Sequence, residues 1–319
     1  MIRPSVTTRS AALAFVLLGA LAVVVLTPLG AGAVTLAAGS AGDVLSAVDA
    51  VVLGAVEGVT EYLPISSTGH LLVTARILGL PDGGAAGDAL KSYEIAIQFG
   101  AILAVLLLYR HRVWTMVEGL AGRSDDGRRL LLAVALAFVP AAVVGVVSER
   151  AIKDVLFGTW PVVVAWIVGG AAVIVLSRRG LLGPRGGRPL AAVTIRDALI
   201  IGGAQVLALW PGTSRSLVTI VAALLIGVSM EAAVEFSFLL GFVTLSAATL
   251  YETAKDGKLM VDTFGLGTPL LGLVVAFVCA ALAIKWMVGY LSHHDLAIFG
   301  WYRIALGALV IVLVATGAI

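Results

Sequence analysis

Residues 54–76 read GAVEGVTEYLPISSTGHLLVTAR, and this stretch decides how the fold is interpreted. Two glutamates four residues apart, Glu57 and Glu61, precede Pro64, and hydroxyl side chains and His70 follow it. Glutamates at positions i and i+4 share one face of a helix, with their Cβ atoms about 6 Å apart. Two like charges so placed repel each other, so an apolar protein needs a cation, a proton or water beside them. Ionisable residues inside a membrane are functional candidates.

The composition is that of a membrane protein. Of the 319 residues, 60% are hydrophobic and 13% are charged, and the mean hydropathy is +1.08. Soluble domains carry about 25% charged residues. Apolar runs of nearly spanning length recur along the chain, which a soluble core does not explain. We therefore predict an all-α polytopic membrane protein. The single cysteine, Cys279, excludes an internal disulfide or a cysteine metal cluster.

Residues 1–43 form an N-terminal hydrophobic extension. Arg3 and Arg9 precede an uncharged run over 11–39. The small residues at 31–33 give the run the form of a signal peptide with a cleavage site, but its length also suffices for a membrane-spanning helix. We favour an extra, retained transmembrane helix, and cleavage stays the alternative. In both cases the arginines predict a cytoplasmic N-terminus.

The remaining domain, residues 44–319, divides into two similar repeats, 44–180 and 194–319. Each repeat begins with two apolar pieces of about 15 residues around a polar turn, whereas a spanning helix needs about 20. Such a broken pair predicts a re-entrant helix hairpin, which a membrane protein tolerates where protein or a watery cavity surrounds it. Three long apolar runs follow each hairpin, at 91–109, 129–148 and 160–178, and then at 232–251, 266–289 and 296–316.

The second repeat is expected to be inverted relative to the first. Pro64 matches Pro211, and Glu94 matches Glu235 in the same order. Because three spans is an odd number, the second repeat must enter the membrane from the opposite side. Paired broken helices in an inverted repeat predict a site at the repeat interface, near the middle of the membrane.

The charges of the short loops orient this arrangement. The loops after the first and third spans are rich in arginine, and such loops are cytoplasmic. The first hairpin is therefore expected to enter from outside and the second from the cytoplasm. The arginines concerned are Arg110, Arg112, Arg123, Arg128 and Arg129 in one loop, and Arg178, Arg179, Arg185, Arg188 and Arg196 in the other.

The second hairpin supplies groups for an anion. Arg215 carries a fixed fork of donors suited to phosphate, Gly212 lets the backbone approach closely, and the following helix offers free N–H groups. The first hairpin supplies carboxylates, hydroxyls and His70. Together they predict an anion site beside a metal site, with a general acid/base or nucleophile. The surrounding hydroxyl side chains are Ser66, Ser67, Thr68, Thr213, Ser214, Ser216 and Thr219.

Each of these groups also has a structural alternative. The glutamate pair could line a solvated helix end, and the hydroxyls could be helix caps within a turn. His70 could be a structural histidine, and Arg215 another cytoplasmic arginine of the loops. We interpret Glu94 and Glu235 as structural.

The sequence EGVTEYLPISSTGH (57–70) together with PGTSRSLVT (211–219) resembles the bacterial undecaprenyl-pyrophosphate phosphatase family, also known for bacitracin resistance. The resemblance extends from about Ser46 to the C-terminus. It implies removal of the terminal phosphate from undecaprenyl pyrophosphate at the outer face of the plasma membrane. This reaction regenerates the monophosphate carrier for peptidoglycan and other wall polymers.

The resemblance also assigns residues. The family's acidic pair falls on Glu57 and Glu61, which would hold the divalent cation, Mg²⁺ or Ca²⁺, that the family needs and that carboxylates suit. Leu217 stands where the family usually has glycine, and the extension 1–43 is not typical of the family. The catalytic set is predicted to be Glu57, Glu61, Ser67, His70 and Arg215. The pyrophosphate-binding set is Ser66, Thr68, Gly212, Thr213, Ser214, Arg215, Ser216 and Thr219.

We therefore predict a multi-pass phosphatase of the bacterial plasma membrane with its active site facing outward. For the attacking group we favour Ser67 activated by His70, with direct attack by His70 or by an activated water as alternatives. The expected partners are a polyprenyl pyrophosphate and the lipid bilayer, without nucleic acid, and a homodimer stays open. The rival functions are a secondary transporter or polyprenyl-phosphate flippase, and a non-catalytic protein that binds bacitracin or lipid.

Overall fold

The computed structural model describes residues 45–184 and 186–319, so the N-terminal extension and Arg185 lie outside the described residues. The described part consists of helices joined by turns and loops, with one isolated bridge between Arg188 and Val228. Its α-helices are α1 (Ala47–Thr60), α2 (Ser67–Ile77), α3 (Gly84–Leu108), α4 (Arg110–Leu120), α5 (Asp125–Leu156), α6 (Thr159–Arg178), α7 (Ile195–Gln205), α8 (Arg215–Leu225), α9 (Met230–Phe264), α10 (Gly267–Leu291) and α11 (Ala297–Ala315). Short 3₁₀ helices lie at Leu190–Ala192 and Val206–Leu209.

Six of the described helices are long and apolar enough to cross a membrane, namely α3, α5, α6, α9, α10 and α11. They coincide with the six predicted apolar runs, so the prediction of an all-α polytopic membrane protein is confirmed. Their ends differ from the predicted ones. For example, α3 begins at Gly84 and α9 continues to Phe264. Hydropathy marks only the apolar part of a helix, whereas the backbone hydrogen bonds continue through the polar residues beside it.

Four of the short helices form two pairs, α1 with α2 and α7 with α8. They contain 14, 11, 11 and 11 residues, fewer than the roughly 20 needed to span a membrane. The first helix of each pair begins with a capping box, Ser46 with Asp49 in α1 and Thr194 with Asp197 in α7. A capping box satisfies two backbone N–H groups that the first turn of a helix leaves unpaired.

The turn inside each pair contains one serine with an unusual backbone. Ser66 precedes α2 and Ser214 precedes α8, and both have φ of 75°. They are the two residues other than glycine with positive φ in the described part of the chain. This conformation is uncommon for a residue with a Cβ and carries strain that concentrates at functional sites.

Small residues let the first pair pack closely against α10. A Cβ added at Gly54 would lie 3.1 Å from the Cα of Gly272, and one at Gly58 would lie 2.9 Å from the Cα of Ala276. Helices in membranes associate through such small-residue contacts, because lipid provides little hydrophobic driving force. Helix α9 packs against α3 and α8, and α6 packs against α11. The two polar turns are thus held inside the helix bundle.

Candidate active site

A cavity of about 620 Å³ lies between the two polar turns, α5 and α9. Most of its wall is apolar, with residues such as Phe138, Val146, Leu209, Leu245 and Ala248. One part of the wall, here called the polar end, is formed by Glu61, Ser66, Ser67, Thr68, Gly212, Ser214 and Arg215. Glu149, Tyr251 and Glu252 also line the cavity. A ligand with a charged head and an apolar body would match this wall.

Glu61 joins the two turns. One carboxylate oxygen, Oε1, accepts a hydrogen bond from Nη2 of Arg215 at 3.1 Å, and the other, Oε2, accepts one from Oγ of Ser67. The Arg215 and Glu61 side chains are 9% and 6% exposed. Electrostatic interactions are stronger in such a setting than in water. Glu61 is therefore placed both to orient Ser67 and to take its proton.

The guanidinium of Arg215 is held on several sides. Nη1 donates to the carbonyl oxygen of Ser237 at 3.0 Å, and the group lies 5.1 Å from the ring centroid of Tyr62. Gly241 makes room for it, since a Cβ there would lie 2.7 Å from Nη2. The Nε atom is buried without a hydrogen-bond partner. Arg215 thus keeps an unused donor at a fixed place beside the cavity.

Glu57 lies one helical turn before Glu61 and is 1% exposed. Its charged neighbours are Glu61, Glu94 and Arg215, and its Oε1 atom is buried without a hydrogen-bond partner. In the described ranges, no group of three or more histidine, cysteine, aspartate or glutamate side chains could hold a metal. The pair still fits a hard cation, because Mg²⁺ often uses one or two carboxylates and completes its shell with water and substrate phosphates.

His70 is bonded differently from what we predicted. Its Nδ1 lies 2.6 Å from the carbonyl oxygen of Ser66, which only accepts, so Nδ1 carries the hydrogen. Its Nε2, 2.8 Å from the hydroxyl of Tyr302, then accepts a hydrogen bond. Ser67 donates to Glu61 instead. The reason is geometric: helical side chains lean toward the N-terminus, which brings the His70 ring to the turn before α2.

The predicted pyrophosphate-binding residues separate into two groups. Ser66, Thr68, Gly212, Ser214 and Arg215 line the cavity, whereas Thr213, Ser216 and Thr219 do not. The hydroxyl of Ser216 donates to the carbonyl of Leu63 at 3.0 Å.

The hydroxyl of Thr219 lies 2.7 Å from that of Ser237. Both Ser216 and Thr219 are fully buried. The hydroxyls of Ser216 and Thr219 therefore form hydrogen bonds within the protein. The Ser216 bond links the second turn to the first.

Two residues outside the predicted set hold the two turns in place. Arg303 on α11 is fully buried and donates to the carbonyls of Thr213 and Gly212, each at 2.9 Å, and of Ala165 at 2.8 Å. Trp166 on α6 donates from Nε1 to the carbonyl of Ile65 at 3.1 Å. Arg303 interrupts an apolar run in the last span, and an arginine inside a membrane is a signal that could have identified it.

Residues 50–309, which include both turns and Arg303, match the family model of the bacitracin resistance protein BacA. The chain belongs to the BacA family. The resemblance seen in the two motifs is thereby confirmed, and the match extends over all six spans up to residue 309.

Three curated relatives of the BacA-family chain carry the name undecaprenyl-diphosphatase. An undecaprenyl-diphosphatase of Sorangium cellulosum (strain So ce56) is 48% identical over 265 residues, which cover 82% of this chain and 85% of the relative. Undecaprenyl-diphosphatase 1 of Burkholderia cenocepacia (strain HI2424) is 44% identical over 271 residues, covering 84% and 95%. An undecaprenyl-diphosphatase of Burkholderia mallei (strain SAVP1) is 43% identical over the same length, with the same coverage.

Proposed function

We propose that this BacA-family protein is an integral-membrane phosphatase that hydrolyses undecaprenyl pyrophosphate to undecaprenyl phosphate and inorganic phosphate. Its relatives carry the name of that enzyme. The observation that carries the proposal is the carboxylate of Glu61, which bonds both Ser67 and Arg215 at the polar end of a mostly apolar cavity. The reaction returns the lipid carrier to the synthesis of peptidoglycan, and this recycling underlies bacitracin resistance in the family.

The substrate binds with its pyrophosphate at the polar end and its prenyl chain along the apolar wall. The fork of Arg215 turns from Glu61 to the phosphate oxygens, which it contacts as a planar set of donors. Ser66 and Thr68 add hydroxyl donors from the same part of the wall, whereas the Ser214 hydroxyl is already hydrogen-bonded within its own turn. The apolar residues of α5 and α9 cover the first isoprene units.

Ser67 is the attacking group that this geometry favours. Its Oγ forms a bond to the terminal phosphorus while its proton passes to the carboxylate of Glu61. The bond from that phosphorus to the bridging oxygen breaks, and undecaprenyl phosphate leaves. Water then hydrolyses the phosphoserine, which releases inorganic phosphate and restores the serine. Phosphoryl transfer relies chiefly on such positioning and electrostatic stabilisation.

His70 acts in this proposal by holding the first turn. Both ring nitrogens already have partners, Ser66 and Tyr302, so attack by the ring would require breaking these bonds. Rapid quenching in cold SDS at neutral pH during turnover tests this assignment, because acid would hydrolyse a phosphohistidine before it is detected. Phosphoserine at position 67 supports it, phosphohistidine at position 70 contradicts it, and hydrolysis without a trapped intermediate indicates attack by water.

Glu57 and Glu61 are the residues that would hold a divalent cation, Mg²⁺ or Ca²⁺. Oε1 of Glu57 has no hydrogen-bond partner and would be free to bind the ion, whereas both oxygens of Glu61 have partners. When bound, the ion supplies positive charge that neutralises the phosphate oxygens in the transition state.

We propose that the protein is built as an inverted repeat, with residues 44–180 as one unit and 194–319 as the other. Two features support it: both units begin with a capped short helix, and both turn through a serine with φ of 75°. The two short helix pairs are then re-entrant hairpins. The arginine-rich loops set the cytoplasmic side, and Glu149, Tyr251 and Glu252 then line the cavity near the outer face.

The test is phosphate release by the full-length protein in detergent. With undecaprenyl pyrophosphate and Mg²⁺ we expect inorganic phosphate to accumulate, and an excess of EDTA to stop it. The transporter alternative predicts movement of lipid across proteoliposomes without hydrolysis, and the lipid-binding alternative predicts binding without turnover. Wild-type protein that is folded and releases no phosphate would contradict the proposed function.

A further inference from the structure

Gln205 is an unpartnered amide in the wall of the cavity. It is the last residue of α7, lines the cavity and is 2% exposed. Both of its side-chain polar atoms, Nε2 and Oε1, are buried and have no hydrogen-bond partner. The sequence contains one other glutamine, Gln98, and no asparagine; Gln98 also lines the cavity, but its amide atoms are not both buried without a partner.

Such an amide is costly for folding alone. A buried polar group without a partner loses its bonds to water and gains nothing in return. The apolar neighbours on the wall, such as Ala208 and Leu209, offer no side-chain hydrogen bond to it. The amide therefore matches a polar ligand that enters the cavity rather than a contact within the protein.

The position of Gln205 indicates which part of a ligand it meets. The 3₁₀ helix Val206–Leu209 follows it directly and leads to the turn that carries Ser214 and Arg215. Four residues of a 3₁₀ helix span about 8 Å, and Gln205, Ser214 and Arg215 line the same cavity. A prenyl chain has no group that bonds an amide, whereas an ionised pyrophosphate offers only acceptor oxygens.

We infer that Gln205 is a further substrate-positioning residue, whose amide nitrogen donates a hydrogen bond to a non-bridging oxygen of the pyrophosphate. The inference rests on the proposed function. The amide oxygen, which the phosphate cannot bond, accepts a hydrogen bond from a water that accompanies the head group. Gln205 thus adds a neutral donor to the charged donor of Arg215, on the same wall.

The experiment compares Gln205→Met and Gln205→Glu with wild type in the full-length protein. Methionine has a similar size and makes no such bond, so we expect kcat/KM for undecaprenyl pyrophosphate to fall about ten- to hundredfold, as for one bond to a charged group. The inhibition constant of inorganic pyrophosphate should rise by a similar factor. Glutamate has the same shape but repels the pyrophosphate, so its loss should be larger. The melting temperature of the methionine variant should be equal or higher.

Thr249→Val is the matched control. The hydroxyl of Thr249 on α9 is also buried without a partner, but Thr249 does not line the cavity. We expect this variant to keep the wild-type kcat/KM and the wild-type inhibition by pyrophosphate. The comparison separates the loss of an unpartnered buried group from the loss of a ligand contact.

Two results would overturn the inference. The first is a methionine variant with wild-type kcat/KM and wild-type inhibition by pyrophosphate. The second is a methionine variant that unfolds or melts far lower while the glutamate variant keeps wild-type inhibition, because the amide would then be structural. Wild-type protein that binds inorganic pyrophosphate but releases no phosphate would contradict the proposed function instead, and the Gln205 contact would then be judged from the binding constant.

Discussion

The two short helix pairs have similar backbones and opposite charges. Both begin with a capping box and turn through a serine with φ of 75°. The first pair brings Glu57 and Glu61 to the site, and the second brings Arg215. The comparison teaches that two helix pairs with the same capping box and the same turn conformation can carry side chains of opposite charge. The two halves meet at the hydrogen bond between Arg215 and Glu61, where the proposed function places the chemistry.

The turns also differ in how they are held. Trp166 donates to the first turn through the carbonyl of Ile65, whereas Arg303 donates to the second through the carbonyls of Gly212 and Thr213. Trp166 and Arg303 lie on α6 and α11, which pack against each other. This helix pair therefore helps to set the distance between the two turns, together with the direct bonds of Ser216 and Glu61 across them.

The largest expected effect comes from removing the charge of the first turn. Glu61→Gln keeps the shape but loses the carboxylate that accepts from both Ser67 and Arg215, so kcat should fall about 10²- to 10⁴-fold, as for a general base. Phosphate release from undecaprenyl pyrophosphate measures it. Asp88→Asn, which removes an exposed carboxylate of α3 with a side chain 62% exposed, is the control. A Glu61→Gln variant as active as that control would refute the role of Glu61.

The next largest loss of activity is expected from changing Arg215 in the second turn. Arg215→Lys keeps the positive charge but loses the planar fork that bonds Glu61 and Ser237 together. Because lysine cannot contact a phosphate through two parallel donors, we expect kcat/KM to fall about 100-fold. Steady-state kinetics of phosphate release gives the value. Equal activity would show that the site needs only a point charge there.

A smaller effect is expected from moving Arg215 without replacing it. A Cβ at Gly241 would lie 2.7 Å from its Nη2, so Gly241→Ala should displace the guanidinium and lower kcat/KM about tenfold, since misplacement of about 1 Å can cost up to 10²-fold. Gly289→Ala on α10 is the matched control, because its Cβ would meet no atom within 4 Å. If both variants keep wild-type kinetics, Gly241 does not set the position of Arg215.

The smallest expected effect is a difference in stability between variants of the two capping boxes. Asp197 accepts two bonds from Arg188, at 2.6 and 2.9 Å, whereas Asp49 accepts from Ser46 and has no ion pair in the part of the chain that the structure describes. Asp197→Asn should therefore lower the free energy of unfolding by about 1 kcal/mol more than Asp49→Asn at pH 7. Thermal or denaturant unfolding in detergent measures the difference.

The stability difference between Asp197→Asn and Asp49→Asn is expected to depend on pH. The hydrogen bonds from Arg188 hold the pKa of Asp197 well below its usual range. The stability that this carboxylate contributes is thus present above its unfolded pKa of about 4 and is lost as the pH falls toward the folded value. The difference between the two variants should be smaller at pH 3 than at pH 7. A difference that does not change with pH would contradict the contribution of the ion pair.

The sequence predicted much of the fold because its signals are local. Runs of apolar residues located the six spans, and the breaks at Pro64 and Pro211 located the short helix pairs. The hydrogen-bond partner of Ser67 was not predicted. We expected Ser67 to be activated by His70, three positions along the helix. Glu61 is that partner instead, because the chain folds back at the turn and returns Ser67 to the end of α1.

Local sequence patterns did not identify Arg303 and Gln205. Arg303 lies 90 residues from Thr213 in sequence, and a hydrogen bond of 2.9 Å joins them. Gln205 is polar in an otherwise apolar piece, but only its burial without a partner distinguishes it from an exposed helix end. Contacts between distant segments depend on how the helices pack, which composition and periodicity do not specify.

The sequence by itself determined the membrane setting, the six spans, the two broken helix pairs and the identity of the charged groups. These follow from hydropathy and residue type, which act over a single helix or turn. Only the tertiary structure decided that Glu61 bonds Ser67 and Arg215 together, that His70 faces Tyr302, and that Ser216 and Thr219 are used inside the protein. The reason is physical: a hydrogen bond needs its two atoms within about 3 Å, and helix packing alone sets that distance between the two turns.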